Sequence, residues 1–174
     1  MTGRFSVGRR QLLALSAVAP FALGASSVLR AAEPDLSALH DITTGAVPIG
    51  PEERRARIAR AQSLMKANGI GSVMVEAGSS LTYFTGIRWW RSERLTAAII
   101  PVEGEVMVVT PFFEEPSVRE SLGITADIRV WQEDEDPLNL VAGFLKERGL
   151  ADKPIGIEET VRYFAVDGLK AAIP

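Results

Sequence analysis

Apolar residues return at helical spacing between Pro51 and Asn68, where Ile58, Ala61, Leu64 and Met65 fall on one face. Pro51 suits a helix's first position, Glu52 and Glu53 suit its positive end, and Asn68-Gly69 stops it. The Val/Met-rich run from Ser72 to Glu76 then predicts a short strand, which Ala77-Gly78-Ser79-Ser80 breaks before a brief turn carrying Leu81, Tyr83 and Phe84. Two β-rich runs follow, Leu95 to Val102 and Glu105 to Thr110, joined by Glu103-Gly104 as a hairpin. Both are apolar almost throughout, as strands covered on two faces are, which places them centrally.

Beyond the hairpin the pattern alternates. Pro116 to Leu122 predicts a short helix closed by Gly123, and Asp127 to Trp131 a strand. Asp136-Pro137 caps a helix that turns Leu138, Val141, Phe144 and Leu145 inward and ends at Gly149. Pro154 to Glu158 forms the last strand, and Arg162 to Ala172 one helix or two pieces broken at Asp167-Gly168. Helices alternating with apolar strands, plus one hairpin, predict an α/β fold: a three-layer unit whose mixed sheet of about five strands is flanked by helices.

The N-terminal third reads differently. Arg4, Arg9 and Arg10 precede an uncharged Ala/Leu-rich run from Leu12 to Leu29, the layout of a signal segment over residues 1–32. Arg9-Arg10, followed by Gln11 and Leu12-Leu13, resembles the twin-arginine export signal, although Gly8 stands where that motif more often has Ser or Thr. The expected location is therefore outside the cytoplasm, in the periplasm, with membrane attachment only through an uncleaved signal. Residues 33–50 mix Pro, Gly, Thr and Asp without apolar period and read as a linker; residues 51–174 are the domain.

Charge and composition narrow the chemistry. Losing the signal removes Arg4, Arg9, Arg10 and Arg30 from 19 basic residues and none of the 22 acids, taking the net charge from −3 to −7. An acidic domain with no basic stripe is not built for nucleic acid. Without cysteine there is no disulfide, thiolate zinc site or cysteine nucleophile. The one histidine, His40, lies in the linker, so no metal site and no Ser-His-Asp arrangement is readable, and Gly69-Ile70-Gly71 lacks the setting of a dinucleotide loop. Glu133-Asp134-Glu135-Asp136 reads as a solvated loop. Glu158-Glu159 reads as a strand end and the acidic first turn of the next helix.

One segment concentrates recognition chemistry. From Tyr83 to Arg94 the chain carries two of its three tryptophans, Trp89 and Trp90, with Arg88, Arg91 and Arg94. Aromatic rings beside guanidinium groups suit a carboxylate or a partner subunit. The same residues equally suit a loop whose tryptophans cap the core while its arginines pair with Glu93 or stay solvated.

The order of the Pro51–Asn68 helix, the Gly69–Val75 strand, Leu81-Thr82-Tyr83-Phe84-Thr85-Gly86, Ser92-Glu93-Arg94-Leu95, the Glu103-Gly104 hairpin, Thr110-Pro111 and Ile155-Gly156-Ile157-Glu158 resembles the N-terminal domain of creatinases, prolidases and Xaa-Pro aminopeptidases. The resemblance covers the chain from about Glu52 onward, and the Tyr-aromatic-Thr-Gly element is its most specific part. It implies that catalysis belongs to a separate C-terminal domain holding a dinuclear metal centre (Mn, Co or Zn). This chain would then have no catalytic residue and no cofactor of its own, and would be inactive alone. Its implied partners are that catalytic domain, further copies of itself in a homo-oligomer, and an Xaa-Pro peptide. The implied role is oligomerisation and substrate gating, with Arg94 the nearest match to an arginine that reaches substrate across the subunit interface and Tyr83, Trp89, Trp90 and Arg91 as its companions. The alternative from a different class is a stand-alone periplasmic binding domain that uses the Arg/Trp loop.

Overall fold

The computed structural model describes residues 35–173. The signal segment, with Arg9 and Arg10, lies outside them. The chain divides into two units, residues 1–45 and 46–174. In the described part of the first, Asp35 and Asp41 each fold the backbone on themselves, accepting from Ser37 N (3.0 Å) and Thr43 N (2.7 Å). These bonds, with the neighbouring hydroxyl contacts, hold both carboxyls below their usual range. His40 is exposed there.

The second unit runs α1 (Pro51–Ala67), β1 (Ser72–Glu76), α2 (Ser79–Thr85), β2 (Ala97–Pro101), β3 (Met107–Pro111), a 3₁₀ turn (Phe112–Glu114), α3 (Glu115–Ser121), β4 (Asp127–Trp131), α4 (Pro137–Glu147), β5 (Ile155–Ile157) and α5 (Tyr163–Ala172). The five strands form one sheet in the order β4-β3-β2-β1-β5. The β1–β2 and β2–β3 pairs are antiparallel; β3–β4 and β1–β5 are parallel. This is the mixed, three-layer α/β architecture that the pattern predicts.

Successive strand residues point to opposite faces, so one continuous apolar strand feeds two cores. Ala97 and Ile99 of β2 join Met107, Val109, Phe144 and Leu169 beneath α4 and α5. Ala98 and Ile100 join Val108, Ile58, Leu81 and Val118 beneath α1, α2 and α3. Asp136 caps α4 as expected, its Oδ1 accepting from Leu138 N at 2.9 Å.

Several local expectations change. Residues 79–85 form a full α-helix rather than a turn. The inward stripe of α1 is Arg54, Arg57, Ile58, Ala61, Gln62 and Met65, at helical spacing, while Leu64 lies on the flank and is exposed. The hairpin is wider than a two-residue turn, because its ladder closes at Ile99–Met107 and Gln62 takes the Pro101 and Gly104 carbonyls (3.1 and 2.9 Å). Gly104 bends this loop with φ 86°. The helix after β5 begins at Tyr163 and is unbroken through Gly168, so Glu158-Glu159 precede it rather than forming its first turn. Glu158 accepts instead from Ser80 Oγ (3.2 Å) and Thr160 Oγ1 (2.6 Å).

Candidate functional site

The Tyr-Phe-Thr-Gly element is a helix terminus. Thr85 is buried, donates through Oγ1 to Leu81 O (2.7 Å) and accepts from Ile87 N (3.1 Å), so it satisfies groups that the end of α2 would leave open. Gly86 follows with φ 88°, and Gly123, whose N–H donates to Thr85 O at 2.7 Å, passes over it. A Cβ at Gly86 would lie 3.0 Å from Gly123 N and 3.2 Å from Arg54 Nε, so both backbone conformation and space demand glycine here. Ile87 then enters the core, and residues 88–94 cross the end of the sheet without regular structure until Leu95 is buried again.

Polar residues on the inward face of α1 hold the end of α2, from which this loop departs. Arg54 Nη1 donates to Thr82 O at 2.5 Å. Arg57 Nη1 donates to Tyr83 O at 3.0 Å, stacks its guanidinium 4.1 Å from the Tyr83 ring centre and pairs with Glu53. Tyr83 meets Phe84 edge to face at 4.9 Å. Two guanidinium groups therefore terminate the α2 carbonyl end, where positive charge is favoured.

Between this helix face and the loop opens a cleft of about 660 Å³, lined by Ile49, Arg54, Arg57, Gly78, Ser79, Thr82, Tyr83, Arg88, Trp89 and Trp90. A second cleft of about 420 Å³ shares Gly78, Ser79, Trp89 and Trp90 and adds Ala77, Arg91 and Thr160. The tryptophan pair is thus a ridge between two concavities. Trp89 packs half-buried against the helix-side core. Trp90 is 91% exposed.

The five residues singled out in the sequence part company here. Tyr83, Trp89 and Trp90 line the larger cleft; Trp89, Trp90 and Arg91 line the smaller. Arg91 is anchored by Ala77 O (3.2 Å from Nε) and the Thr160 hydroxyl. Arg94 belongs to neither cleft. Its Nε and Nη2 fork onto Glu133 at 2.7 and 3.2 Å, it pairs with Glu93, and its guanidinium lies 5.3 Å from the Phe113 ring centre. The hydrogen bond from Arg94 holds the Glu133 carboxyl below its usual range, and Glu133 in turn keeps the guanidinium more firmly protonated. The acidic loop is therefore partly a docking point for Arg94.

Two residues that sequence reasoning passed over fix the far end of the loop. The Glu76 side chain is fully buried at the end of β1 and accepts from Arg162 through N (3.0 Å) and Nε (2.7 Å), with a further contact from Nη2. Arg162 also donates to the carbonyls of Ser92 and of Arg94, the latter at 3.2 Å. One ion pair thus ties β1, the start of α5 and the recognition loop together. An acid at the end of an otherwise apolar strand was the only signal, since its partner is 86 residues away. Among the described residues no three of His, Cys, Asp and Glu gather as a metal centre requires.

Comparison with known proteins bears on this arrangement. Residues 57–174 match the model of the Creatinase/Prolidase N-terminal domain. The chain is 32% identical over 91 residues to a probable dipeptidase PepE of Mycobacterium bovis, an alignment covering 51% of this chain and 24% of that protein. The crystal structure of dipeptidase PepE from Mycobacterium ulcerans superposes with a TM-score of 0.63 at 26% identity, covering 72% of this chain and 33% of that one. The N-terminal domain of an Xaa-Pro dipeptidase from Lactobacillus brevis has the same fold, with a TM-score of 0.62 at 17% identity over 68% of this chain and 88% of that one. The chain therefore spans about a quarter to a third of the full-length relatives it matches.

Proposed function

The chain belongs to the creatinase/prolidase N-terminal domain family, and from that premise we propose that it is the non-catalytic N-terminal domain of an exported Xaa-Pro metallopeptidase, serving oligomerisation and substrate gating. The observation that carries this reading is the family match from residue 57 onward to relatives that are dipeptidases and extend well beyond it. The described residues do not fit a dinuclear metal centre, so no step of peptide hydrolysis is assigned to them. That chemistry falls to a catalytic domain elsewhere in the assembled enzyme.

Gating is supported by the exposed Trp90 ridge and its two clefts, which give a neighbouring subunit or a substrate an apolar surface with cationic edges. Arg94 contributes once it exchanges Glu133 for a substrate carboxylate, a swap between equivalent acceptors. Export through a twin-arginine route rests on Arg9, Arg10 and the apolar run after them.

Intact mass of the protein from its native source tests the first part, with a mass of roughly 40 kDa or more expected for this domain plus a catalytic one. A mass below the 18.8 kDa of this chain would overturn the reading. In the full-length enzyme, supplied with manganese, cobalt or zinc, Arg94→Ala is expected to lower kcat/KM for Xaa-Pro peptides about tenfold, the worth of one charge-assisted hydrogen bond. Unchanged turnover of short and long peptides alike would remove the gating role.

A further inference from the structure

The larger cleft is lined by residues of this one chain, and their chemistry selects a ligand. Its walls are largely apolar or aromatic, from Ile49, Tyr83, Trp89 and Trp90, and its three charged lining residues are all arginines. Among the described residues no carboxylate lines it. Two of the three guanidinium groups are already committed: Arg54 to Thr82 O, and Arg57 to Tyr83 O, the Tyr83 ring and Glu53. Arg88 has no hydrogen-bond acceptor or carboxylate partner among the described residues and stands exposed beside the tryptophans.

Arg88 is exposed and hydrated when the cleft is empty, and the planar fork of a guanidinium beside aromatic walls matches a carboxylate in particular. Arg54 and Arg57 are held by acceptors within the domain, so Arg88 is the guanidinium best placed to take a carboxylate, and one guanidinium fork accommodates one carboxylate. The volume, about 660 Å³, is that of a small-molecule site. We propose that this cleft binds a small amphipathic monocarboxylate, its aryl or alkyl body against Trp89, Trp90 and Tyr83 and its carboxylate on Arg88. The site uses Arg88 and not Arg94; it deepens the gating reading, which draws on the same cleft, and the two are tested apart, turnover of Arg94→Ala reading gating and acid-against-amide binding reading this site.

The test titrates the full 174-residue chain with 3-phenylpropanoate and with the uncharged isostere 3-phenylpropanamide, following tryptophan fluorescence and, independently, heat of binding. Saturable binding of the acid is expected, with the amide about tenfold or more weaker, the discrimination of one charge-assisted contact. Arg88→Gln should bring the acid down to the affinity of the amide, and Trp90→Ala should weaken both. Both residues are exposed and outside the core, so the variants retain the fold, which circular dichroism verifies. Equal binding of acid and amide, acid binding unaffected by Arg88→Gln, or no saturation with either compound at millimolar concentration would overturn the proposal. So would sedimentation showing a dimer that Trp90→Ala dissociates, since the cleft would then be an interface between copies.

Discussion

Removing the guanidinium of Arg162 is the most informative single perturbation of this fold. Glu76 is fully buried, and every hydrogen bond its carboxylate accepts comes from Arg162; the side chain of Arg162 is itself only 28% exposed. Arg162→Leu leaves a carboxylate without its countercharge inside the domain and frees the Ser92 and Arg94 carbonyls. Stranding one member of such a pair costs about 3–5 kcal/mol. Glu76→Leu alone leaves the charge on the more exposed partner, which can turn toward water, and should cost less, about 1–3 kcal/mol. The double variant Glu76→Leu/Arg162→Leu should return to within about 1–2 kcal/mol of the wild type, because neither charge is then buried alone. Urea unfolding of the four proteins gives these differences and the coupling between the two sites. If Arg162→Leu costs less than about 1 kcal/mol, the pair behaves as a surface ion pair and the claim that it anchors the loop is refuted.

Two further outcomes follow from the geometry. Gly86→Ala should destabilise the domain by about 2–4 kcal/mol, combining a left-handed backbone with a Cβ pressed on Gly123; urea unfolding checks it, and a loss under about 0.5 kcal/mol, the size of a neutral surface change, contradicts it. The Glu133 carboxyl, held low by Arg94, contributes its contact above the ordinary carboxylate range and loses it only as pH falls through the depressed value. Carbon-detected NMR should therefore place its titration midpoint below the usual range in the wild type and return it there in Arg94→Ala, whereas identical midpoints would mean that the ion pair does not form in solution.

Much of the architecture was legible because it rests on local pattern. Continuous apolar runs of five or so residues announce strands covered on both sides, and the sheet shows Ala97 and Ile99 feeding one core while Ala98 and Ile100 feed the other. Asp136-Pro137 marked a helix start because capping is a contact between residues two apart. The α1 stripe was harder: half of its inward positions are Arg54, Arg57 and Gln62, which hydropathy assigns to water. Their carbonyl partners on α2 and the hairpin loop lie 26 to 42 residues away, beyond any local signal.

For the candidate site the division is sharper. Residue order alone showed that aromatic and guanidinium groups crowd residues 83–94, that a glycine interrupts them, and that the order of elements resembles that of the creatinase/prolidase N-terminal domain. Which arginines lack an acceptor among the described residues follows from the fold alone. Arg94 is engaged by Glu133, Arg91 by Ala77 and Thr160, and Arg162 by Glu76, while Arg88 is left facing the cleft beside Trp89 and Trp90. Residue type sets what a side chain can bind, but availability depends on which groups the fold brings within hydrogen-bonding distance, and those partners come from distant parts of the chain.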